Sequence, residues 1–326
     1  MEVDYLFILD DSAKTDVKYG CKPTERSLET LLDAGVILVD KPRGPSSHQL
    51  TAWAREMLGI QRLGHGGTLD PFATGLLTML CGKATRLTEM VLTGDKKYIA
   101  VLKFGRDVDS SELENLLNSL NGEIYNVPPL ESAVKVQVRT RIIHEMRIIE
   151  DDSESNLVAL TIFCNAGTYI RTLARDIGLL LNTKCELTEL HRDKTGAFSQ
   201  SNACTMQQLT DAVFLWKEHE DDRALRKLIA PVESILGHFP RIIVKDGAAA
   251  AIAHGAALAR PGVVSIDERI ERGNLVVIET LKGEAVAIAE TNSGAAKIQS
   301  MEHGEVARPK VVLMQAGIYP QTWQKG

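Results

Sequence analysis

Residues 64–75 read Gly64-His65-Gly66-Gly67-Thr68-Leu69-Asp70-Pro71-Phe72-Ala73-Thr74-Gly75, a stretch that holds one carboxylate, one imidazole and four glycines. Glycine permits positive φ and a close approach of the backbone to its neighbours. Proline restricts the aspartate before it to extended geometry. The stretch therefore predicts a stiff loop that presents the carboxylate of Asp70 in one direction. The alternative is a turn in which Asp70 only accepts hydrogen bonds from nearby backbone amides.

The segments around this loop alternate between strand and helix patterns. Apolar and β-branched runs predict strands over Gly35–Val39, Leu76–Cys81, Lys96–Gly105 and Leu157–Phe163. Helical spacing predicts helices that end at Leu58 (capped by Ser46 or Ser47), over Ala84–Thr93, over Asp109–Leu120 and around Ile170–Ile177 (capped by Thr168). Glu150–Glu154 is predicted as a loop between strands, and Trp216 with Glu218–Arg223 as a surface helix closing the domain. We predict an α+β fold, with a mixed sheet flanked by helices.

Length and composition are those of a globular protein with room for two domains. Of the 326 residues, 44% are hydrophobic and 25% are charged. No stretch reaches the ~20 apolar residues that a membrane helix needs, and the acidic N-terminus is unlike a signal peptide. The five cysteines form no Cys-x-x-Cys pair, which disfavours a disulfide framework or a zinc site. We therefore expect a cytoplasmic protein without membrane contact.

The charge balance is acidic. Lys and Arg number 37 and Asp and Glu 43, for a net charge of −6 at pH 7. Nucleic-acid-binding proteins usually carry a basic surface, so composition alone does not indicate RNA. If RNA is the partner, either the basic residues concentrate on one face or other subunits supply much of the affinity.

The loop resembles the catalytic motif of the pseudouridine synthase family that includes bacterial tRNA uridine-55 synthase and eukaryotic dyskerin. In that family the pattern is approximately Gly-His-x-Gly-(Thr/Ala)-Leu-Asp-Pro-x-x-(Ser/Thr)-Gly. Further family motifs are matched by Lys41–Gly44, Pro128–Lys135 and Gly167–Arg171. Leu190–Phe198 is similar to the family's Leu-Arg-Arg-x-x-x-Gly-x-Phe, with His191 in place of the first arginine. The resemblance covers most of the chain.

The resemblance implies a role for each matching side chain at the substrate. Asp70 would be the catalytic carboxylate and Tyr98 would stack on the target base. Arg171 would pair with Asp70, orient it and keep it ionised. His65 would help to hold or flip the target, or would only bond the loop backbone, and Leu190 would line the base pocket.

Four basic residues are given supporting roles by the resemblance. Lys41 would support the catalytic loop rather than take part in the chemistry. Lys135, Arg139 and Arg141 would line an RNA path, where each phosphate contact adds salt-dependent affinity. A solvated basic strand edge explains Arg139 and Arg141 equally well. The family reaction implies no metal and no cofactor, in keeping with the lack of a Cys/His cluster or phosphate-binding loop.

The residue composition changes near Pro240, where small residues and short apolar runs begin. His254–Val263 and Thr280–Ala287 are similar to sequence motifs of a PUA domain, a compact β-rich RNA-binding module. We therefore predict three parts: an N-terminal extension over 1–34 that packs on the PUA domain, a pseudouridine synthase catalytic domain over 35–239 with a mixed, mainly antiparallel sheet, and the PUA domain over 240–326. A short connecting segment and the lack of a Lys-rich tail suit the archaeal type.

The family reaction breaks the N1–C1′ bond of uridine, turns the uracil and rejoins it through C5, on a base that is flipped or single-stranded. The resemblance implies the catalytic subunit of an H/ACA guide-RNA ribonucleoprotein that modifies rRNA. Its partners would be the guide RNA, a small zinc-ribbon-like protein, a β-barrel protein and a kink-turn-binding protein.

Three other functions remain open from the sequence. The first is a stand-alone tRNA uridine-55 synthase, against which the short connector and the PUA domain argue. The second is a non-catalytic RNA-binding scaffold, against which the intact Asp70, Tyr98 and Arg171 argue. The third is a hydrolytic nucleoside enzyme, which would need a second carboxylate to activate water, and the loop contains only one.

Overall fold

A computed structural model describes residues 6–128 and 137–321, which fall into two compact units, one of residues 37–228 and the other of the chain up to Val36 together with the chain from Ile229. The strands are β1 (Leu6–Ile8), β2 (Gly35–Lys41), β3 (Leu63–Gly66), β4 (Thr74–Cys81), β5 (Lys96–Phe104), β6 (Gly122–Asn126), β7 (Arg139–Asp152), β8 (Leu157–Cys164), β9 (Cys185–Thr195), β10 (Phe198–Ser199), β11 (Cys204–Thr205), β12 (Ile229–Pro231), β13 (Arg241–Val244), β14 (Leu258–Ala259), β15 (Val263–Asp267), β16 (Leu275–Thr280), β17 (Ala285–Thr291) and β18 (Glu305–Val312). The α-helices are α1 (Leu28–Asp33), α2 (Ser47–Leu58), α3 (Thr88–Thr93), α4 (Ser110–Ser119), α5 (Ile170–Leu180), α6 (Met206–His219), α7 (Arg223–Leu228), α8 (Asp246–Ala253) and α9 (Ala295–Ser300). In this part of the chain, no helix combines the length and the apolar character needed to cross a membrane.

The unit of residues 37–228 is built on one sheet, in the order β11-β2-β4-β9-β5-β8-β7-β6, with β3 paired to β4 and β10 to β9. β11 runs parallel to β2, and β4 runs parallel to β9. The pairings of β5 with β8 and β9, of β7 with β6 and β8, and of β3 with β4 are antiparallel. The prediction of a mixed, mainly antiparallel sheet is confirmed.

The core of this unit lies on one face of β5 and β8. Along β5 the buried positions alternate with more exposed ones, so that Tyr98, Ala100, Leu102 and Phe104 all point into the core. The apolar stripe of α5 packs into the same cluster through residues at helical spacing: Ile170, Leu173, Ala174 and Ile177. Both periodicities were readable in the sequence, and the strand and the helix are confirmed.

Two predicted helix starts are wrong because short side chains bond the local backbone instead. Tyr169, not Thr168, is the residue before α5, and the Thr168 hydroxyl donates to the Asn165 carbonyl at 2.8 Å. The single helix predicted over Ala84–Thr93 is a 3₁₀ helix over Gly82–Leu87 followed by α3. Threonine hydroxyls near this junction donate to carbonyls three residues back, at 2.6 and 2.7 Å, which competes with regular α-helical bonding.

Two charged runs also differ from expectation. β7 continues through Asp152, so only the end of Glu150–Glu154 lies in a turn. The run Glu218–Arg223 is not one helix: α6 ends at His219, and Glu220 has a φ of 54°. α7 begins at Arg223, whose backbone N–H donates to the Asp221 carboxylate at 3.1 Å. The two helices are separated by Glu220, which has a left-handed conformation, and by Asp221, whose carboxylate accepts from the first N–H of α7.

The second unit contains a sheet in the order β1-β15-β13-β16-β17-β18-β14. The N-terminal strand β1 lies at the edge of this sheet, antiparallel to β15, with Leu6 opposite Asp267. β13 is parallel to β16, and the other pairings are antiparallel. Small and branched side chains from these strands and from α8 form a core of their own.

Candidate active site

The predicted loop connects β3 to β4 in a hairpin and carries Asp70 at its tip. Leu69 and Ala73 are buried on either side, whereas the side chain of Asp70 is 34% exposed. The N–H of Ala73 donates to the Asp70 carbonyl at 3.0 Å and closes a turn. Within the described residues, the Asp70 carboxylate accepts no backbone hydrogen bond, so the alternative of a self-bonded aspartate turn is wrong. The carboxylate is left available to other groups.

Arg171 holds the Asp70 carboxylate in one orientation. It is the second residue of α5, and its Nε lies 3.0 Å from Oδ2 while Nη2 lies 3.1 Å from Oδ1. Two parallel N–H donors on two carboxylate oxygens make a fork that fixes both distance and plane. The structure thus brings together two predicted site residues that lie 101 positions apart.

Tyr98 and Leu190 lie on neighbouring strands and face the same side of the sheet. On β5, Tyr98 is opposite Arg192 of β9, and Ala100 is opposite Leu190. Tyr98 and Leu190 belong to the core cluster that also contains Leu69. Burial raises the pKa of the Tyr98 hydroxyl, the Arg192 guanidinium opposes that rise, and the Asp70 carboxylate adds to it.

Lys41 supports the loop through its backbone. The ammonium is fully buried and donates to the carbonyls of Ala73 at 2.7 Å, Pro42 at 3.0 Å and Pro71 at 3.2 Å. Burial lowers the pKa of Lys41, and the Asp70 carboxylate opposes that shift. All three ammonium protons have acceptors, two of them in the loop just after Asp70.

Sequence reasoning missed two residues that hold the loop. Ser47 was considered only as a helix cap, yet its buried hydroxyl donates to the Leu69 carbonyl at 3.1 Å and accepts from the Leu69 N–H at 2.9 Å. Arg192 was not selected, yet its buried guanidinium donates to the carbonyls of Gly67 and Leu76, each at 2.9 Å. A signal existed for Arg192, because it lies two residues after Leu190 and an alternating strand places both on the buried face.

His65 contacts side chains rather than the loop backbone. Its Nδ1 is 3.3 Å from the Thr51 hydroxyl and its Nε2 is 3.4 Å from the Thr68 hydroxyl, and its ring meets His48 edge-on at 4.7 Å. Burial, with smaller contributions from His48 and Arg192, lowers the pKa of His65 to about 4. The imidazole is therefore neutral near pH 7. A cavity of about 390 Å³ opens beside it, toward Arg55 of α2.

Two of the three basic residues predicted for RNA lie within the described part of the chain. Lys135 lies outside the described residues. Arg139 is exposed at the start of β7. Arg141 donates to the Thr140 carbonyl at 2.9 Å, and its guanidinium lies so close to Gly167 that a Cβ there would be 3.0 Å from Nη2. In the part of the chain that is described, no hydrogen bond or ion pair joins Arg139 or Arg141 to the loop.

The described residues contain no group of three or more His, Cys, Asp or Glu side chains placed to hold a metal ion. The polar groups around Asp70 are instead cations, hydroxyls and backbone carbonyls. A single partly exposed carboxylate, oriented by an arginine fork, can act on a sugar carbon or accept a proton.

Comparison with known families places the chain among the pseudouridine synthases. Residues 55–170 match the profile of the TruB family pseudouridylate synthase N-terminal domain, and residues 171–237 match the tRNA pseudouridylate synthase B C-terminal domain. Residues 240–313 match the PUA domain and residues 4–51 the DKCLD domain. The chain belongs to the TruB family and is an RNA pseudouridine synthase with a C-terminal PUA domain.

Similar proteins span nearly the whole chain. The probable tRNA pseudouridine synthase B of Methanopyrus kandleri is 42% identical over 98% of this chain and 94% of its own length. The one from Methanothermobacter thermautotrophicus is 40% identical over 98% of both. Among solved structures, a chain of a Cbf5–Nop10–Gar1 complex superposes with a TM-score of 0.88 at 36% identity, covering 98% of this chain and 96% of that one. A chain of an H/ACA RNP bound to a substrate RNA containing 2′-deoxyuridine superposes with a TM-score of 0.89 at 34% identity, covering 98% of this chain and 97% of that one.

Proposed function

We propose that this chain is the catalytic subunit of a guide-RNA-directed particle that converts uridine to pseudouridine in rRNA. The observation that carries the proposal is its similarity, along 98% of its length, to chains solved within an H/ACA RNP bound to a substrate RNA and within an archaeal box H/ACA sRNP complex. The acidic composition, with a net charge of −6, supports a division of labour in which guide pairing and other subunits contribute to RNA affinity.

For the partners we propose a guide RNA, a target rRNA or tRNA, and three small proteins of the predicted kinds: zinc-ribbon-like, β-barrel and kink-turn-binding. Similarity to a Cbf5–Nop10–Gar1 complex supports small protein subunits as a class. We also propose a cytoplasmic location and the predicted boundaries 1–34, 35–239 and 240–326. The pairing of β1 with β15 supports packing of the extension on the PUA domain.

For the chemistry we propose that Asp70 is the catalytic carboxylate. Once the target base is out of its helix, the uracil stacks on Tyr98 and Leu190 lines its pocket. Asp70 either attacks C1′ or assists glycal formation, and in both routes the N1–C1′ bond breaks. After the uracil turns, C5 bonds to C1′, the C5 proton leaves and N1 gains a proton, so the product is an isomer of the substrate. Arg171 keeps the carboxylate oriented throughout, and the neutral His65 helps to hold the target strand.

For RNA contact we propose that Lys135, Arg139 and Arg141 lie along the path of the substrate. Charge removal at these positions would weaken binding with a reduced salt dependence, since each phosphate contact contributes its own share of counterion release. The exposure of Arg139 supports this placement.

A second candidate function is stand-alone modification of tRNA uridine-55. It is favoured by the curated relatives, which carry the name of probable tRNA pseudouridine synthase B. The two functions differ in whether a guide RNA is needed, and the same active site serves both.

The test is pseudouridine formation in a guide-paired rRNA fragment and in a tRNA, by the chain alone and by the assembled particle. We expect product in the rRNA only with guide and partners, and none with Asp70→Asn, which keeps the shape but removes the carboxylate. Modification of tRNA without guide or partners would favour the second candidate. Full activity of Asp70→Asn would overturn the mechanism.

A further inference from the structure

Among the described residues, no Asp or Glu forms an ion pair with the buried side chain of Arg192, which is only 1% exposed. Burial lowers the pKa of its guanidinium, and the Tyr98 side chain opposes that shift. A charge removed from water is costly unless other polar groups replace the lost hydration. Its surroundings in the fold must therefore supply those groups.

Backbone carbonyls from both ends of the catalytic loop supply them. Nη2 donates to the carbonyl of Gly67, three residues before Asp70, and Nε donates to that of Leu76, six residues after it, each at 2.9 Å. The guanidinium is a planar fork with fixed donor directions. One side chain thus sets the distance between the two ends of the loop.

The loop also rests directly on Arg192. Gly67 has a φ of +92°, and a Cβ there would lie 3.2 Å from Nη1. Gly75 has a φ of +99°, and a Cβ there would lie 2.4 Å from the carbonyl oxygen of Arg192 and 2.7 Å from its nitrogen. The close approach to the Arg192 backbone therefore requires glycine at position 75, and the positive φ favours glycine at both positions.

A bulge on β9 directs the same side chain toward Tyr98. Lys97 pairs with Lys194 but Tyr98 pairs with Arg192, which leaves Asp193 as the extra residue. Directly opposed residues project to the same face of a sheet, and bulges near active sites re-aim side chains in this way. Arg192 consequently donates to the loop that carries Asp70 and lies opposite Tyr98 on the neighbouring strand.

We propose that Arg192 is a positioning residue for pseudouridylation, which holds the catalytic loop and Tyr98 in one frame so that a base stacked on the ring meets the Asp70 carboxylate. This role rests on the function proposed above. Arg192 does not touch the substrate, so its effect is on the rate of the chemical step and not on RNA affinity.

The test compares Arg192→Lys with wild type in the assembled particle, using single-turnover pseudouridine formation and the Kd for target RNA. Lysine keeps the charge but cannot hold two carbonyls in fork geometry. We expect the rate constant to fall about 10- to 100-fold, the effect of misplacing a catalytic group by about an ångström. The Kd should stay within about twofold.

Arg26→Lys is the matched control. Arg26 lies with Glu233 in the unit that does not contain Arg192, and its guanidinium donates two hydrogen bonds to the Glu233 carboxylate, at 2.7 and 2.8 Å. The Arg26→Lys substitution should lower the melting temperature without changing the rate constant of pseudouridine formation. An arginine that only stabilises the fold would behave like this control, and that result for Arg192→Lys would overturn the proposal.

Tyr98→Phe gives a second measurement that does not depend on folding of the arginine variant. It keeps the ring and its packing but removes the hydroxyl next to Arg192. We expect a lower rate constant at unchanged Kd, and a double variant no slower than Arg192→Lys alone. A wild-type rate for Tyr98→Phe would overturn the link between the two residues. An inactive wild-type chain would overturn the proposed function, whereas an active wild type equalled by Arg192→Lys would overturn only the positioning role.

Discussion

Replacing Lys41 with methionine tests whether the loop is held through its carbonyls. The side chain stays unbranched, is one atom shorter and loses the ammonium, which donates to Pro42, Pro71 and Ala73. The Pro71 carbonyl also accepts from the Gly44 N–H at 2.8 Å and keeps that partner. The Ala73 carbonyl is buried and loses this donor, at about 1–3 kcal/mol for a buried acceptor left unpaired, whereas Pro42 is exposed and water can replace the donor there. Relief of the desolvated charge offsets part of this, so we expect a net loss of about 1–2 kcal/mol in the free energy of unfolding.

The same change should slow catalysis, because the carbonyls of Pro71 and Ala73 follow Asp70 directly. A shift of the carboxylate by about an ångström lowers the rate on the order of 100-fold. Urea denaturation gives the stability, and single-turnover pseudouridine formation by the folded protein gives the rate. Lys103→Met, at an exposed position of β5, is the control and should stay within about 0.5 kcal/mol of wild type. Wild-type stability of Lys41→Met would refute the reasoning on the carbonyls, and a wild-type rate would refute the positioning of Asp70.

Two further predictions concern the loop and its neighbour. Because burial lowers the pKa of His65 from 6.5 to about 4, the unfolded chain takes up a proton below pH 6.5 that the folded chain refuses, and stability is lost as the pH falls toward 4. Between pH 7 and pH 4.5, protonation linked to His65 should lower the free energy of unfolding by about 2 kcal/mol. The His65→Gln variant should lack this contribution when both proteins are denatured at the two pH values. Equal losses of stability in the two proteins would contradict the prediction. Gly75→Ala places a Cβ 2.4 Å from the backbone of β9 at a φ of +99°, and should cost about 3–5 kcal/mol from strain and overpacking. Gly273→Ala, with a φ of +84° and open space, should cost only about 1–2 kcal/mol in the same urea titration, and similar costs at both glycines would contradict the close approach.

Much of the fold was readable from local patterns. The alternation along β5, the helical spacing in α5 and the cap of α2 each follow from interactions within a short segment. The cap is specific: the Ser46 hydroxyl accepts from the Gln49 N–H at 3.2 Å, and the Gln49 side chain accepts from the Ser46 N–H at 2.8 Å. Such signals depend on nearby residues and therefore survive in a single sequence.

The wrong predictions concern helix starts, where more than one local hydrogen-bonding pattern is open to neighbouring residues. Thr168 and Tyr169 were both able to precede α5, and the outcome was decided by a turn that the Thr168 hydroxyl makes with Asn165. At the start of α3, hydroxyl bonds to carbonyls three residues back compete with α-helical bonding. These choices depend on differences of about a kilocalorie per mole between local hydrogen bonds, which composition and spacing do not resolve.

The site itself was only partly predictable. The contact between Asp70 and Arg171 was expected from family resemblance, since no local pattern relates residues 101 positions apart. The roles of Arg192 and Ser47 in holding the loop were not predicted, because their hydrogen-bond partners are backbone groups, which are the same at every position of a sequence. The bulge at Asp193, which sets Arg192 opposite Tyr98, is likewise a property of strand pairing.

The structure separates the group that reacts from the groups that hold it. Lys41 and Arg192 are buried cations that donate to backbone carbonyls of the loop and of residues that flank it, and within the described residues neither forms an ion pair with the Asp70 carboxylate. Asp70 remains partly exposed and is gripped by the Arg171 fork. Because the frame bonds the backbone, the side chain at position 70 can change while the loop keeps its shape. This is the physical reason to expect that Asp70→Asn abolishes the reaction in a protein that remains folded and still binds RNA, whereas changes at Lys41 or Arg192 slow the reaction by moving a carboxylate that is still present.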